Sequence, residues 1–188
     1  MASTELRVWM DPIEHSQVLA ALHTLAPSRC LEWGSGGSTQ SLLQKCPFVR
    51  EWVSVEHDGA WFQQVRDAIA DPRLSLHHVL PDRPLPPGKH SEAEQNAWNA
   101  RAEHEPELMP SYVGKPRSLR GAAFDFVLVD GRARRFCIKE GFDLLRAGGL
   151  LVLHDAQRTD YHDALNAVGT PVFLSPWKQG QVCLLRKP

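Results

Sequence analysis

Carboxylates and a glycine-rich turn stand close together around residue 34, a combination that suits the binding of a polar organic ligand. Glu32 lies two residues before the turn, which reads Gly34-Ser35-Gly36-Gly37-Ser38-Thr39. Glycines let the backbone approach a ligand closely, and N–H groups at the start of a following helix can bind its polar atoms. The glycine pattern of a dinucleotide site fails at Thr39. The carboxylate of Glu32 would repel a pyrophosphate but would suit an ammonium group.

A second carboxylate, Glu56, ends a predicted strand about twenty residues beyond this turn, where an acidic residue can bind both hydroxyls of a ribose. His57 follows it, and Asp58 is the better candidate for capping the next helix. The turn, Glu32 and Glu56 together indicate a ligand that carries an ammonium group and a ribose but no phosphate. S-adenosylmethionine has this chemistry.

Three titratable residues follow two later strands. Asp130 comes after the apolar run 124–129, and His154 and Asp155 come after the run 150–153. A histidine titrates near neutral pH, and adjacent carboxylates can tune it. We interpret His154 as a candidate catalytic base that Asp130 or Asp155 orients. A plain surface turn at Asp130-Gly131 is the alternative interpretation.

Apolar runs alternating with periodic polar stretches predict a doubly wound α/β fold, in which a parallel sheet is covered by helices on both faces. Such sheets bind ligands beyond the carboxyl ends of their strands, which is where the residues named above should lie. A first predicted helix begins at Asp11-Pro12, and four more cover 38–45, 59–70, 133–145 and 160–167. Gly148-Gly149 should end the helix over 133–145. Predicted strands cover 29–33, 52–56, 74–80, 124–129, 150–153, 172–174 and 182–185.

The length of 188 residues fits one domain with a substantial core. The segment 81–120 stands apart because it holds seven prolines and few branched aliphatic residues, with one predicted helix near 91–105. A connection of this length is either a lid over a binding site or a surface insertion. Both interpretations remain open at this point.

Bulk composition excludes some classes of function. The formal net charge is −1, so no global basic field favours nucleic acid or anionic lipid as a partner. No apolar run is long enough to cross a bilayer, and the first residues lack the pattern of a secretory signal. The cysteines have no zinc-site spacing and are expected to be buried free thiols. We therefore expect a cytoplasmic protein.

The series Glu32 to Thr39, then Glu56, then Asp130, then Gly148 to Asp155 resembles a class I S-adenosylmethionine-dependent methyltransferase. The resemblance runs from about residue 29 to the end, outside the insertion. It implies a Rossmann-like sheet of seven strands whose last strand is antiparallel. It also implies that Glu32, Gly34, Gly36 and Gly37 hold the methionine part. Further cofactor contacts are expected from Ser35, Ser38, Thr39 and Asp130. Glu56 and His57 would lie at the ribose, and Asp82 is the nearest candidate for an adenine contact.

A small molecule methylated at a hydroxyl oxygen is the expected acceptor, and Trp33, Trp61, Trp98 or Tyr112 could stack on it if they are not core residues. Some relatives of this fold hold a divalent ion with acidic residues placed like Asp130 and Asp155. They carry a further Asp or Asn where this chain has Ala156, so we expect no metal. The alternatives are a binding module without catalysis and a methyltransferase acting on nucleic acid or protein. The sequence does not indicate an oligomeric state.

Overall fold

The computed structural model describes residues 5–119 and 121–188. Its strands are β1 (Arg29–Trp33), β2 (Glu51–Glu56), β3 (Leu74–His78), β4 (Phe124–Val129), β5 (Leu145–Leu153), β6 (Val172–Phe173) and β7 (Cys183–Arg186). Its α-helices are α1 (Pro12–Leu25), α2 (Gly37–Lys45), α3 (Gly59–Ala68), α4 (Glu92–Ala102), α5 (Pro110–Gly114), α6 (Arg134–Leu144) and α7 (His162–Val168). Short 3-10 turns cover Pro106–Leu108, Lys115–Ser118 and Thr159–Tyr161.

The strands form one sheet in the order β3-β2-β1-β4-β5-β7-β6. Strands β1 to β5 pair in parallel, and β7 is antiparallel to both β5 and β6. The predicted fold class, a doubly wound seven-stranded sheet with the last strand antiparallel, is therefore confirmed. The order reverses between β1 and β4, which is where such sheets bind their ligands.

Each central strand is buried on both faces, because helices cover the sheet from both sides. Side chains alternate along a strand, so β1 directs Leu31 and Trp33 to one face and Cys30 and Glu32 to the other. The first face packs against α6, α7 and the insertion, and the second packs against α1 and α2. This alternation decides which side chains can reach the edge of the sheet.

The boundary between α6 and β5 differs from the prediction. Leu145 was expected to end the helix, with Gly148 and Gly149 as its stop, but α6 ends one residue earlier and Leu145 begins β5 by pairing with Phe124. The two glycines lie inside β5 at a register shift, and Gly148 has a φ of +77°. The prediction failed because Leu145 fits the helical spacing of buried residues as well as it fits a strand.

The segment that the sequence set apart contributes to the core. Trp98 of α4 and Tyr112 of α5 belong to the hydrophobic cluster on the α6 face of the sheet. The indole of Trp33 donates a hydrogen bond to the carbonyl of Tyr112 at 3.1 Å. Asp82 accepts hydrogen bonds from the backbone N–H and the hydroxyl of Ser111, at 2.9 and 2.5 Å. The part from α4 onward is thus held in place, whereas 81–91 is largely exposed.

Candidate active site

A cleft of about 790 Å³ lies along the carboxyl ends of β1, β2, β4 and β5. Its volume is in the range of about 300–1,000 Å³ that small-molecule sites occupy. Ten of the twelve residues proposed from the sequence line it: Gly34, Ser35, Gly36, Gly37, Ser38, Glu56, His57, Asp130, His154 and Asp155. Glu32 and Thr39 lie behind it.

The glycine turn passes directly against the loop that follows β4. Gly34 has a φ of +93°, and a Cβ atom built on it would lie 2.6 Å from the backbone of Gly131. A residue with a side chain would therefore force the two loops apart as well as adopt a strained backbone. The indole of Trp61 donates a hydrogen bond to the carbonyl of Ser35 at 2.7 Å and holds the other side of the turn. These contacts hold the turn on both sides.

Glu56 ties the end of β2 to the glycine turn. Its Oε1 accepts the backbone N–H groups of His57 and Asp58 at 2.8 and 2.9 Å. Its Oε2 accepts the N–H and the hydroxyl of Ser35 at the longer distances of 3.2 and 3.3 Å. The carboxylate is thus held at the cleft wall with one oxygen in strong contacts and the other in weaker ones, which a ligand hydroxyl can replace.

Glu32 does not reach the cleft, contrary to the direct ligand contact that the sequence suggested. Its side chain lies on the α1–α2 face of the sheet and is fully buried. Its Oε2 accepts three hydrogen bonds, from the hydroxyls of Thr39 and Ser54 at 2.8 Å and from the indole of Trp52 at 3.0 Å. Burial raises the pKa of Glu32 to about 7. The residue acts as a buried acceptor beneath the turn.

Thr39 transmits this support to the turn. Its hydroxyl donates to Glu32 and accepts the backbone N–H of Gly36 at 2.8 Å. The chain Glu32–Thr39–Gly36 therefore fixes the backbone from behind, so the two residues shape the cleft without lining it. Alternation along β1 explains the difference, because a side chain two residues after Cys30 must share its face.

His154 lies between carboxylates on both sides of its ring. Its Nδ1 is 3.1 Å from Oδ1 of Asp130 and 3.7 Å from Oδ1 of Asp155, and its Nε2 is 3.0 Å from Oε2 of Glu14. A carboxylate can only accept, so both ring nitrogens must carry protons to satisfy these contacts. Burial alone would lower the pKa of His154, but the hydrogen bonds and charges of these carboxylates raise it to about 9.

A protonated imidazole with both nitrogens occupied is not available to take a proton at neutral pH. The arrangement therefore favours a cationic His154 that positions Asp130, and it disfavours the base role inferred from the sequence. Both hydrogen bonds of the Asp130 carboxylate use Oδ1, which lies 3.1 Å from Nδ1 of His154 and 3.2 Å from Nη2 of Arg134. Within the described residues, Oδ2 has no hydrogen bond, which leaves it for a ligand in the cleft that Asp130 lines.

Arg134, at the start of α6, is a site residue that the sequence reasoning missed. It lies beneath the cleft, is 5% exposed, and pairs with Asp155 at 2.7 Å and with Asp130 at 3.2 Å. Although burial opposes it, the charges of Arg134 and His154 hold the pKa of Asp155 below its ordinary value. The available indication was an arginine only four residues after Asp130 in the sequence.

Glu14 of α1 joins the beginning and the end of the chain at this site. Its Oε1 accepts the backbone N–H groups of Lys178, Gln179 and Gly180 at 2.9, 2.7 and 2.8 Å, and its Oε2 faces His154. Burial would raise the pKa of Glu14, but these hydrogen bonds lower it to about 2. In the sequence Glu14 is an acidic residue in the first turn of a helix, and no local pattern pointed to this second function.

The insertion reaches the site from two directions. Buried Glu103, which follows α4, lies near the start of α6, where the charge of Arg134 and the backbone N–H groups of Arg134 and Arg135 counteract the rise that burial causes in its pKa. Trp98 and part of 81–91 line the cleft. Of the four aromatic residues considered for stacking, Trp61 and Trp98 line the cleft, and Trp33 and Tyr112 are core residues. Exposed Trp9, which was not predicted, also lines it.

The four cysteines are buried free thiols, as predicted. Among the described residues, no helix combines the length and the apolar character that crossing a membrane requires.

No protein-family profile and no curated protein matches the sequence significantly. Solved structures do match. A methyltransferase-like protein from Silicibacter pomeroyi is 22% identical, with a TM-score of 0.64 over 98% of this chain and 90% of that one. The O-methyltransferase TomG from Streptomyces achromogenes, in complex with SAM, is 14% identical, with a TM-score of 0.61 over 95% and 81%.

An O-methyltransferase from Bacillus cereus, in complex with SAH, is 12% identical, with a TM-score of 0.63 over 100% of this chain and 84% of that one. The likeness spans nearly the whole chain in each case. At these identities the likeness establishes the fold alone, which this chain shares with the three methyltransferase structures. The activity has to be argued from the cleft.

Proposed function

We propose that this protein is an S-adenosylmethionine-dependent methyltransferase that acts on a small molecule at a hydroxyl oxygen. The observation that carries the proposal is the meeting of the glycine turn, Glu56 and Asp130 in one cleft, at the point where the strand order reverses. Solved structures of the same fold were determined with SAM or SAH bound.

The residues of the cleft fit this cofactor. The close approach of Gly34 to Gly131 leaves a turn free of side chains, with backbone groups for the methionine part. Oε2 of Glu56, whose present contacts are the longer ones, can accept hydrogen bonds from ribose hydroxyls. The bound cofactor would supply an electrophilic methyl group. Glu32 would contribute by holding the turn from behind.

The chain's own contribution to transfer is positioning and proton handling. Methyl transfer requires an acceptor oxygen in line with the breaking bond, so orientation accounts for much of the acceleration. Oδ2 of Asp130 can accept the hydrogen bond of an acceptor hydroxyl, while Arg134 and His154 hold Oδ1. Trp9 and Trp98 offer apolar surface for the rest of the acceptor. This assignment moves the proton-accepting role from His154 to Asp130.

The test is transfer of label from methyl-tritiated S-adenosylmethionine to a panel of phenols, catechols and sugars, with amines, thiols and RNA included for comparison. We expect a hydroxyl compound to be labelled and an Asp130→Asn variant to be slower by about 10²-fold or more, the typical contribution of a proton-transfer group. Labelling of amines or RNA alone would contradict the acceptor class. Cofactor binding without any transfer would favour a binding module.

A further inference from the structure

The guanidinium of Arg134 has no hydrogen-bonding capacity left. Its Nε donates to the carbonyl of Gly131 at 3.0 Å. Its Nη1 donates to the carbonyl of His154 at 2.6 Å and to Asp155 at 2.7 Å. Its Nη2 donates to the carbonyl and to Oδ1 of Asp130, at 3.0 and 3.2 Å. A guanidinium has five donors, and all five are used.

The same acidic residues could otherwise hold a metal ion. Asp130, His154 and Asp155 each offer one atom that can coordinate a metal, and these three atoms lie within 4.8 Å of one another. Carboxylate and imidazole groups at such distances suit a divalent ion such as Mn²⁺ or Mg²⁺. Here, however, both carboxylates already pair with Arg134, and the imidazole donates to carboxylates from both of its nitrogens.

The position of Arg134 runs against helix electrostatics. It is the first residue of α6, where the helix dipole disfavours a cation. It is also buried, and an arginine there is tolerated only when it is paired. The nearby carboxylate of buried Glu103, which interacts with the charge of Arg134, offsets part of this cost. A permanent charge has thus been built in at the point where Asp130 and Asp155 converge.

We propose that Arg134 is the resident cation of this site: it occupies the electrostatic position of a divalent ion and positions Asp130 and Asp155 without metal. Two consequences follow. The native protein has no use for a divalent ion at this cluster. A variant that lacks the charge of Arg134 leaves Asp130, His154 and Asp155 with excess negative charge, and it should acquire a metal site. The inference concerns metal binding and stands whether or not the protein transfers methyl groups.

The experiment measures Mn²⁺ binding to the full chain by calorimetric titration. The melting temperature with and without the ion provides a second measurement. The variants are Arg134→Met and Arg134→Gln, of which the second can still donate to the carbonyl oxygens. Arg135→Met is the matched control, because Arg135 is the next residue, is partly exposed and pairs with Asp163 instead of the cluster. EDTA-treated wild-type protein provides the reference.

We expect Mn²⁺ to bind the Arg134 variants at least about tenfold more tightly than the wild type and the control, and to raise the melting temperature of those variants only. An added Asp155→Asn substitution should abolish the gain. If Arg134→Met fails to fold, Arg134→Gln gives the same comparison. Two results would overturn the proposal: tight Mn²⁺ binding by the wild type that Asp155→Asn removes, or a folded Arg134→Gln protein with no gain in affinity.

Discussion

At the scale of single residues, the site depends on carboxylates whose surroundings give them different tasks. Glu56 faces the cleft, Glu32 is sealed beneath the turn, and Glu14 binds backbone N–H groups at the far end of the chain. Glu32 and Glu56 could be recognised from the sequence as candidate site residues, but the direction of each side chain could not. Strand alternation would have placed Glu32 correctly if it had been applied from Cys30 onward.

The support given by Glu32 can be measured through stability. Glu32→Ala leaves the hydroxyls of Thr39 and Ser54 and the indole of Trp52 without their acceptor, and each buried unsatisfied group costs about 1–3 kcal/mol. Glu32→Gln keeps one oxygen that can accept all three. Urea denaturation should therefore show a loss of several kcal/mol in the free energy of unfolding for Glu32→Ala and a much smaller loss for Glu32→Gln. Equal losses would contradict this network.

The protonation of His154 predicts a pH dependence. Its pKa is raised from 6.5 to about 9 in the folded protein, so its contribution to stability is fully present below about 6.5 and is lost as the pH rises through 9. One pKa unit corresponds to about 1.4 kcal/mol, so at pH 6 the free energy of unfolding of the wild type should exceed that of His154→Gln by a few kcal/mol. The difference in the free energy of unfolding should shrink by about pH 10. A constant difference across this range would show a neutral imidazole.

At the scale of elements, apolar runs predicted β1 and β4 to the residue, because continuous buried strands leave few alternatives. The junction of α6 and β5 was less predictable, since no polar residue separates a buried helix from a buried strand at Leu145. The start of α6 also lacks a local side-chain cap, because Ala133 stands at its N-cap position. Glu103, thirty residues earlier in the chain, places a buried carboxyl group near this end of the helix.

The position of Glu103 near the start of α6 gives a prediction. Glu103→Ala should lower the free energy of unfolding by about 2 kcal/mol, the upper end of the values for lost caps, because it removes a buried carboxylate that interacts with Arg134 and with the first N–H groups of α6. Glu105→Ala is the control, as that carboxylate lies two residues beyond Glu103 and pairs with exposed Arg101. Chemical denaturation of both variants provides the measurement. A control as destabilised as Glu103→Ala would rule out a specific effect of Glu103 on α6.

At the scale of the whole molecule, the predicted sheet is confirmed, and the closure of the site by distant segments is the main feature that the sequence did not reveal. Neither the contact of α1 with 178–180 nor the packing of the insertion on α6 follows from local patterns, because both depend on side chains that meet only after the sheet has formed. The proposal of a lid now applies to 84–91, the exposed part of the insertion next to the cleft that follows the bonded residues Asp82 and Arg83.

The closure by the C-terminal loop can be tested at Gly180. A Cβ atom there would lie 2.3 Å from Oδ1 of Asp155 and 2.8 Å from Nε2 of His154, so Gly180→Ala should displace the loop or the cluster. We expect a lower melting temperature and weaker cofactor binding. Gly114→Ala is the matched control, since nothing lies within 4 Å of a Cβ atom at Gly114. If both variants behaved like the wild type, the loop would not be packed on the site.

The central claim is that the cleft formed by the glycine turn and Glu56 binds the methyl donor. Calorimetric titration with S-adenosylhomocysteine tests it most directly, on the wild type, Glu56→Ala and the control Glu51→Ala, which changes a partly exposed carboxylate at the other end of β2. The account predicts binding with a dissociation constant near the micromolar range, retained in Glu51→Ala and weakened at least about tenfold in Glu56→Ala. Absence of binding to the folded wild-type protein, or equal binding by Glu56→Ala, would contradict it.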